Sequence, residues 1–268
     1  MSLLEFDFMR RALLAAALVG FAAPSIGVYL VQRRMSLMGD GVGHVAFAGV
    51  AAGILTGASP VYTAIAAAGA GAVVIELLRE RGRMAGDLAL ALIFYGGIAA
   101  AVLLTSLAHE PTTTLFSFLF GSVLLVSAHD VVVAAAVAAG VLAVTLLLRK
   151  ELFAVCYDEE VARAGGLPVR ALNMLIAVTT AVTVAVTMRV VGILLVASLL
   201  VLPVATSQQL TRSFKGTTAL ASGLGLFCSV GGLVIAFYAD VAPSATIALL
   251  AILLFAASAV IGRFRMGG

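Results

Sequence analysis

Two side chains ask for a chemical reading first: Asp40 and His44, set in Met38-Gly39-Asp40-Gly41-Val42-Gly43-His44-Val45-Ala46-Phe47-Ala48-Gly49. A spacing of four places both on one face of a helix. The segment opens a long apolar run, and an acid inside a membrane costs about 2.5–3.5 kcal/mol on insertion scales, so such groups mark paths or sites. Carboxylate oxygen plus imidazole nitrogen is a donor pair suited to zinc or manganese. Gly39, Gly41, Gly43 and Gly49 leave room for another backbone to approach. Two donors do not fill a metal's shell, so another helix, a second subunit or water must supply the rest. Spacing alone leaves a second reading open, in which Asp40 caps the helix and His44 is a packed interior histidine.

Other groups are weaker candidates. His109, Glu110, His129 and Asp130 lie between apolar runs and could attract a divalent cation at an outer mouth; solvated loop ends are the plainer alternative, and Asp240 has the same standing. The stretch Tyr157 to Pro168 starts acidic, continues through Val161, Ala162 and Ala164, and meets Gly165-Gly166 and then Pro168. That order predicts a short helix stopped by the glycines, either a plain connection or a docking element for a cytoplasmic partner. Cys156 and Cys228 are far apart and are read as incidental. The sequence contains no Gly-x-x-x-x-Gly-Lys-Ser/Thr phosphate loop, no Gly-x-Ser-x-Gly elbow and no His-Glu-x-x-His. The chain is therefore expected not to hydrolyse ATP and not to be an enzyme.

The elements that must position these residues follow from composition. Of 268 residues, 63% are hydrophobic and 11% charged. A soluble domain is nearer half apolar and a quarter charged, so lipid must cover part of this surface. Nine apolar runs lie near 12–32, 41–58, 60–79, 87–108, 131–148, 171–188, 190–206, 217–238 and 244–262. They predict an all-α polytopic transmembrane bundle of eight or nine spans, one domain over residues 1–268, because only a helix satisfies its own backbone in lipid. Only Met188 and Arg189 divide the sixth run from the seventh. Arg33 and Arg34, Arg79 to Arg83, Arg149 to Arg170, Arg212 and Lys215, and Arg263 and Arg265 all fall on one side if the runs alternate. That side is expected to be cytoplasmic, with the C-terminus inside and the N-terminus outside. The net charge of +3 fits this asymmetry and gives no reason to expect nucleic acid. Asp40 is read as the only acid near a run's interior, which disfavours a secondary carrier, since such carriers need more membrane acids.

At these motifs the sequence resembles the zinc/manganese/iron family of ABC-transporter membrane subunits, of the zinc-uptake permease type. The likeness is carried by Arg33-Arg34-Met35-Ser36-Leu37-Met38-Gly39-Asp40 with His44 and Gly49, by Leu119-Phe120-Gly121-Ser122, by Asp158 to Pro168, by Val191-Gly192-Ile193 through Leu202-Pro203, and by Pro243-Ser244-Ala245-Thr246. The family commonly has an acid where Ser122 stands. The resemblance implies a multi-pass plasma-membrane permease importing a divalent metal, zinc first and manganese second, by ATP-driven alternating access. It implies no resident cofactor, a membrane partner that is usually a second copy, cytoplasmic ATP-binding subunits and an extracytoplasmic metal-binding protein. Asp40 and His44 would hold the ion in passage. Glu160, Val161, Ala162, Arg163, Ala164, Gly165, Gly166 and Leu167 would form the element touching the ATPase. The rivals are an ATPase-independent carrier or channel and an ABC permease for a metal chelate.

Overall fold

The computed structural model describes residues 6–80, 86–108, 119, 121 and 126–266. Within them each apolar run forms a helix, joined by two short ones: α1 Asp7–Gln32, α2 Met38–Thr56, α3 Pro60–Glu80, α4 Gly86–Ala108, α5 Ala128–Leu147, α6 Arg149–Tyr157, α7 Glu159–Ala164, α8 Val169–Val191, α9 Ile193–Leu210, α10 Phe214–Ala239 and α11 Pro243–Met266. Eight are long and apolar enough to cross a membrane; α9, apolar over Leu195–Leu210, is the shorter one.

The boundary expected at Met188–Arg189 lies instead at Gly192, which adopts φ 90° and ψ 152° and separates α8 from α9. The reason is a close approach from far along the chain. A Cβ on Gly121, itself at φ 73°, would stand 2.7 Å from the Val191 carbonyl carbon and 2.8 Å from the Gly192 nitrogen. Two of the motif segments therefore meet backbone to backbone, with glycine required on both sides.

Helix α1 is the centre of the packing, with every residue from Ala22 to Leu30 buried. It crosses α10 through small residues. A Cβ on Gly225 would strike the Gly20 carbonyl oxygen, and one on Gly27 would strike the carbonyl of Leu200 in α9. With no hydrophobic drive between helices in lipid, such close backbone contact is what holds them together. Helix α2 lies between α3 and α4 and also touches α8 and α9. Its glycines set those distances: Gly39 faces Ala197 and Leu200 of α9, Gly43 faces Val184 of α8, and Gly49 and Gly53 face Thr63 of α3.

Side-chain contacts define the two ends of the bundle. Arg33, Glu76, Arg79, Glu159 and Asn173 gather the ends of α1 and α3, the start of α8 and helix α7 at the basic end. At the opposite end Tyr62 of α3 meets His129 of α5, and Asp130 of α5 meets Arg189 of α8.

Candidate functional site

Asp40 and His44 occupy the first two turns of α2, and both are half-buried. The cap of α2 falls on Leu37, and no side chain caps that end, so Asp40 is not spent on its helix terminus. The His44 ring meets the ring of Phe94 of α4 edge-on at 4.8 Å. Among the described residues neither side chain has a hydrogen-bond or ion-pair partner. Their depth follows from Gly43, which packs against Val184. At 1.5 Å per residue, Val184 stands about 16 Å along α8 from Asn173 and about 10 Å from Val191. The pair therefore sits well inside the bundle although Arg34 is only six residues away from Asp40 in sequence. Among the described residues no three His, Cys, Asp or Glu side chains cluster as a complete metal shell. Asp40 and His44 offer one oxygen and one nitrogen donor group, open on one side.

Below them lies a set of charges the sequence reading overlooked. Glu76 lies in the third apolar run, so Asp40 is not the only acid in a run's interior: the Glu76 and Arg33 side chains are 3% and 4% exposed. Arg79 Nη2 donates to Glu76 Oε1 at 2.7 Å and to Glu159 Oε1 at 2.9 Å, and Arg33 Nη2 stands 3.5 Å and 3.3 Å from the same two oxygens. Asn173 Nδ2 donates to Glu159 Oε1 at 3.1 Å. Two arginines and two glutamates sum to zero, which is why this cluster tolerates burial. The charge of Glu76 is met by Arg33 and Arg79 at the end of the bundle.

Burial would raise the Glu159 carboxyl, but Arg79, Arg33 and the Asn173 amide outweigh it and hold it below the ordinary 4.5. A carboxyl depressed in the folded state stabilises fully above its ordinary value and loses that contribution as pH falls through the folded one. The thermal midpoint of the purified protein should therefore drop as pH is taken below the ordinary carboxylate range. Glu159→Gln should flatten that part of the profile, as followed by thermal unfolding at a series of acid pH values.

Two of the outer-mouth candidates, His129 and Asp130, fall within the described residues; His109, Glu110 and also Ser122 lie outside them. Asp130 is buried and committed: it forms a capping box with Ser127 and pairs with Arg189 Nη1 at 3.1 Å. His129 is exposed, with Nε2 3.4 Å from the Tyr62 hydroxyl. The Ser127-x-x-Asp130 spacing before an apolar run is itself a capping signature, and it was the available clue to Asp130.

The short helix expected after Tyr157 is α7. Asp158 caps it by accepting from the backbone of Glu160 and Val161, and Gly166 at φ 82° ends it. Within it Ala162 is buried, whereas Glu160, Val161, Arg163 and Ala164 and the following Gly165 and Gly166 are exposed, and Leu167 is half-buried. Glu159, just outside the expected segment, turns inward instead.

Apolar helices enclosing an unpaired acid and imidazole define a multi-pass membrane protein with a polar site inside its bundle. The chain belongs to the ABC 3 transport family, whose model matches residues 5–262. It is 31% identical over 254 residues to the manganese transport system membrane protein MntC of Halalkalibacterium halodurans, covering 95% of this chain and 87% of that one. It is 30% identical over 267 residues to the "Probable iron transport system membrane protein" of Haemophilus influenzae, covering 98% and 97%. Among solved structures, a chain of PsaBC from Streptococcus pneumoniae in complex with Fab superimposes with a TM-score of 0.86 at 30% identity, over 96% of this chain and 92% of that one.

Proposed function

We propose that residues 1–268 form one permease domain of an ABC importer that carries a divalent metal ion through the Asp40–His44 face by alternating access. The observation that carries this is an unpaired carboxylate beside an imidazole deep among apolar helices. An acid left there without a partner is costly, and a passing cation would be the partner that rewards it. Incomplete ligation suits a transporter, because an ion held by a full shell would not leave. The metal is cargo, and the chain has no resident cofactor. Mixed oxygen and nitrogen donors admit both zinc and manganese; the sequence signature favoured zinc, whereas the manganese transport relative shifts the weight to manganese.

The same reading gives the chain a second copy in the membrane, cytoplasmic ATP-binding subunits that supply the hydrolysis it lacks, an extracytoplasmic metal-binding protein and a lipid surround. The basic end and the C-terminus face the cytoplasm. The exposed side of α7, from Glu160 to Leu167, is the ATPase contact. The test is reconstitution into liposomes with and without the ATP-binding subunits, with uptake of radioactive manganese and zinc measured in competition. ATP-dependent uptake that needs the ATPase is the expected result. Metal entering through this chain alone, down its gradient, would overturn the proposal in favour of a carrier or channel.

A further inference from the structure

We propose that Glu159 is a positioning residue linking movement of the ATPase-facing helix α7 to the Asp40–His44 face, an inference that rests on the permease reading above. Glu159 is the first residue of α7, and its Oε1 faces three donors from three other elements. These are Arg33 Nη2 at 3.3 Å just after α1, Arg79 Nη2 at 2.9 Å at the end of α3, and Asn173 Nδ2 at 3.1 Å near the start of α8. Ala162 is the one buried residue of α7, which otherwise packs on the preceding α6. Force applied to the exposed side of α7, where Val161 is 67% exposed, therefore has a direct polar route into the bundle through this carboxylate.

The next step is from Arg33 to Asp40, and the chain between them has no slack. The amide of Arg33 donates to the Tyr29 carbonyl, Arg34 to Val31, Met35 to Leu30, Met38 to Met35 and Gly41 to Leu37. Arg34 is held at φ 57°, a conformation a non-glycine residue keeps only when its surroundings fix it. A displacement of Arg33 is thus passed to the first turn of α2, which carries Asp40, instead of being absorbed in a loose loop. Among the described residues Arg33 Nε and Asn173 Oδ1 are buried without a partner. They leave the cluster a spare donor and a spare acceptor with which to settle in a second arrangement. A network with two arrangements is what a transmission element needs.

The experiment uses the whole transporter, permease with ATP-binding subunits and binding protein, in proteoliposomes. Glu159→Gln keeps the shape and removes the charge. ATP hydrolysis should stay within about twofold while metal taken up per ATP falls roughly fivefold or more. A purely structural role predicts equal losses of assembly, hydrolysis and uptake, and that result overturns the proposal. So does an unchanged ratio of uptake to hydrolysis. The double variant Glu159→Gln/Arg79→Gln restores neutrality and should recover yield without recovering the ratio; recovery of both would assign the residue to charge balance alone.

A readout independent of cargo separates this inference from the reading beneath it. Leu37 is exposed just before α2, so a cysteine placed there reports on that end of the helix. The native thiols interfere little, since Cys228 is buried and burial pushes the Cys156 thiol up to about 12. ATP should change the labelling rate of Leu37→Cys in the parent and not in Glu159→Gln. If labelling behaves so but no metal moves, the cargo assignment fails and the coupling role stands. If ATP does not change labelling in the parent, the coupling role falls whatever the cargo.

Discussion

Alanine at Asp40 or at His44 will reduce metal uptake by the assembled transporter roughly 10- to 100-fold or more, since loss of even a supporting partner around a metal costs that much. The same variants will leave the fold intact. Asp40 makes no hydrogen bond or ion pair among the described residues and caps nothing, so its removal breaks no contact. Deleting an unpaired acid from an apolar bundle should raise the thermal midpoint slightly. His44→Ala forfeits the edge-on contact with Phe94 and should lower it slightly. Loss of function with neutral or gained stability is the mark of a residue kept for its chemistry. Asp40→Asn separates charge from size: it preserves the volume and should fail nearly as badly as alanine. The measurement is uptake of radioactive manganese and zinc beside thermal unfolding of the same preparation. Full-rate uptake of both ions by either alanine variant would sink the site assignment, and an unfolded variant would show that these residues hold structure after all.

The sequence made this pair legible because their relation is local. Four residues on one helix fix a shared face, whatever the rest of the chain does. The apolar runs were legible for the same reason, since each satisfies its backbone within itself. What escaped depends on contacts between distant segments. The break at Gly192 could not be told from many other glycines, because it is decided by the approach of Gly121 from another part of the chain. Glu76 was passed over inside the third apolar run, three residues before Arg79. Its meaning comes from Arg33, which reaches it from the end of α1, and from Glu159 of α7, which shares both of its arginines. Asp130 was attractive as an outer acid, yet a capping serine three residues earlier and an arginine from α8 both claim it. That arginine also explains how a positive charge sits at the non-basic end of the bundle: it arrives with its counter-charge.

Glu76→Gln is the substitution expected to damage stability most. It leaves Arg33, 4% exposed, and Arg79 sharing the single carboxylate of Glu159. Removing one member of a buried ion cluster costs about 3–5 kcal/mol, because one positive charge is left in excess with little water to meet it. Arg33→Met strands Glu76 less severely, since Arg79 still donates to it through both Nε and Nη2. The diagnostic variant is the double one, Arg33→Met/Glu76→Met. It removes one charge of each sign and keeps the Arg79–Glu159 pair at 2.9 Å. If charge balance governs the cluster, the double variant will be far more stable than Glu76→Gln alone, since an apolar replacement of a buried pair is often nearly neutral. The two changes would then be strongly non-additive, as contacting residues are. Thermal unfolding of the parent, Arg33→Met, Glu76→Met and the double variant completes the cycle. Additive losses would mean that shape, not charge, is what these side chains supply. Stability regained without regained transport would separate what the cluster does for the fold from what it does between α7 and α2.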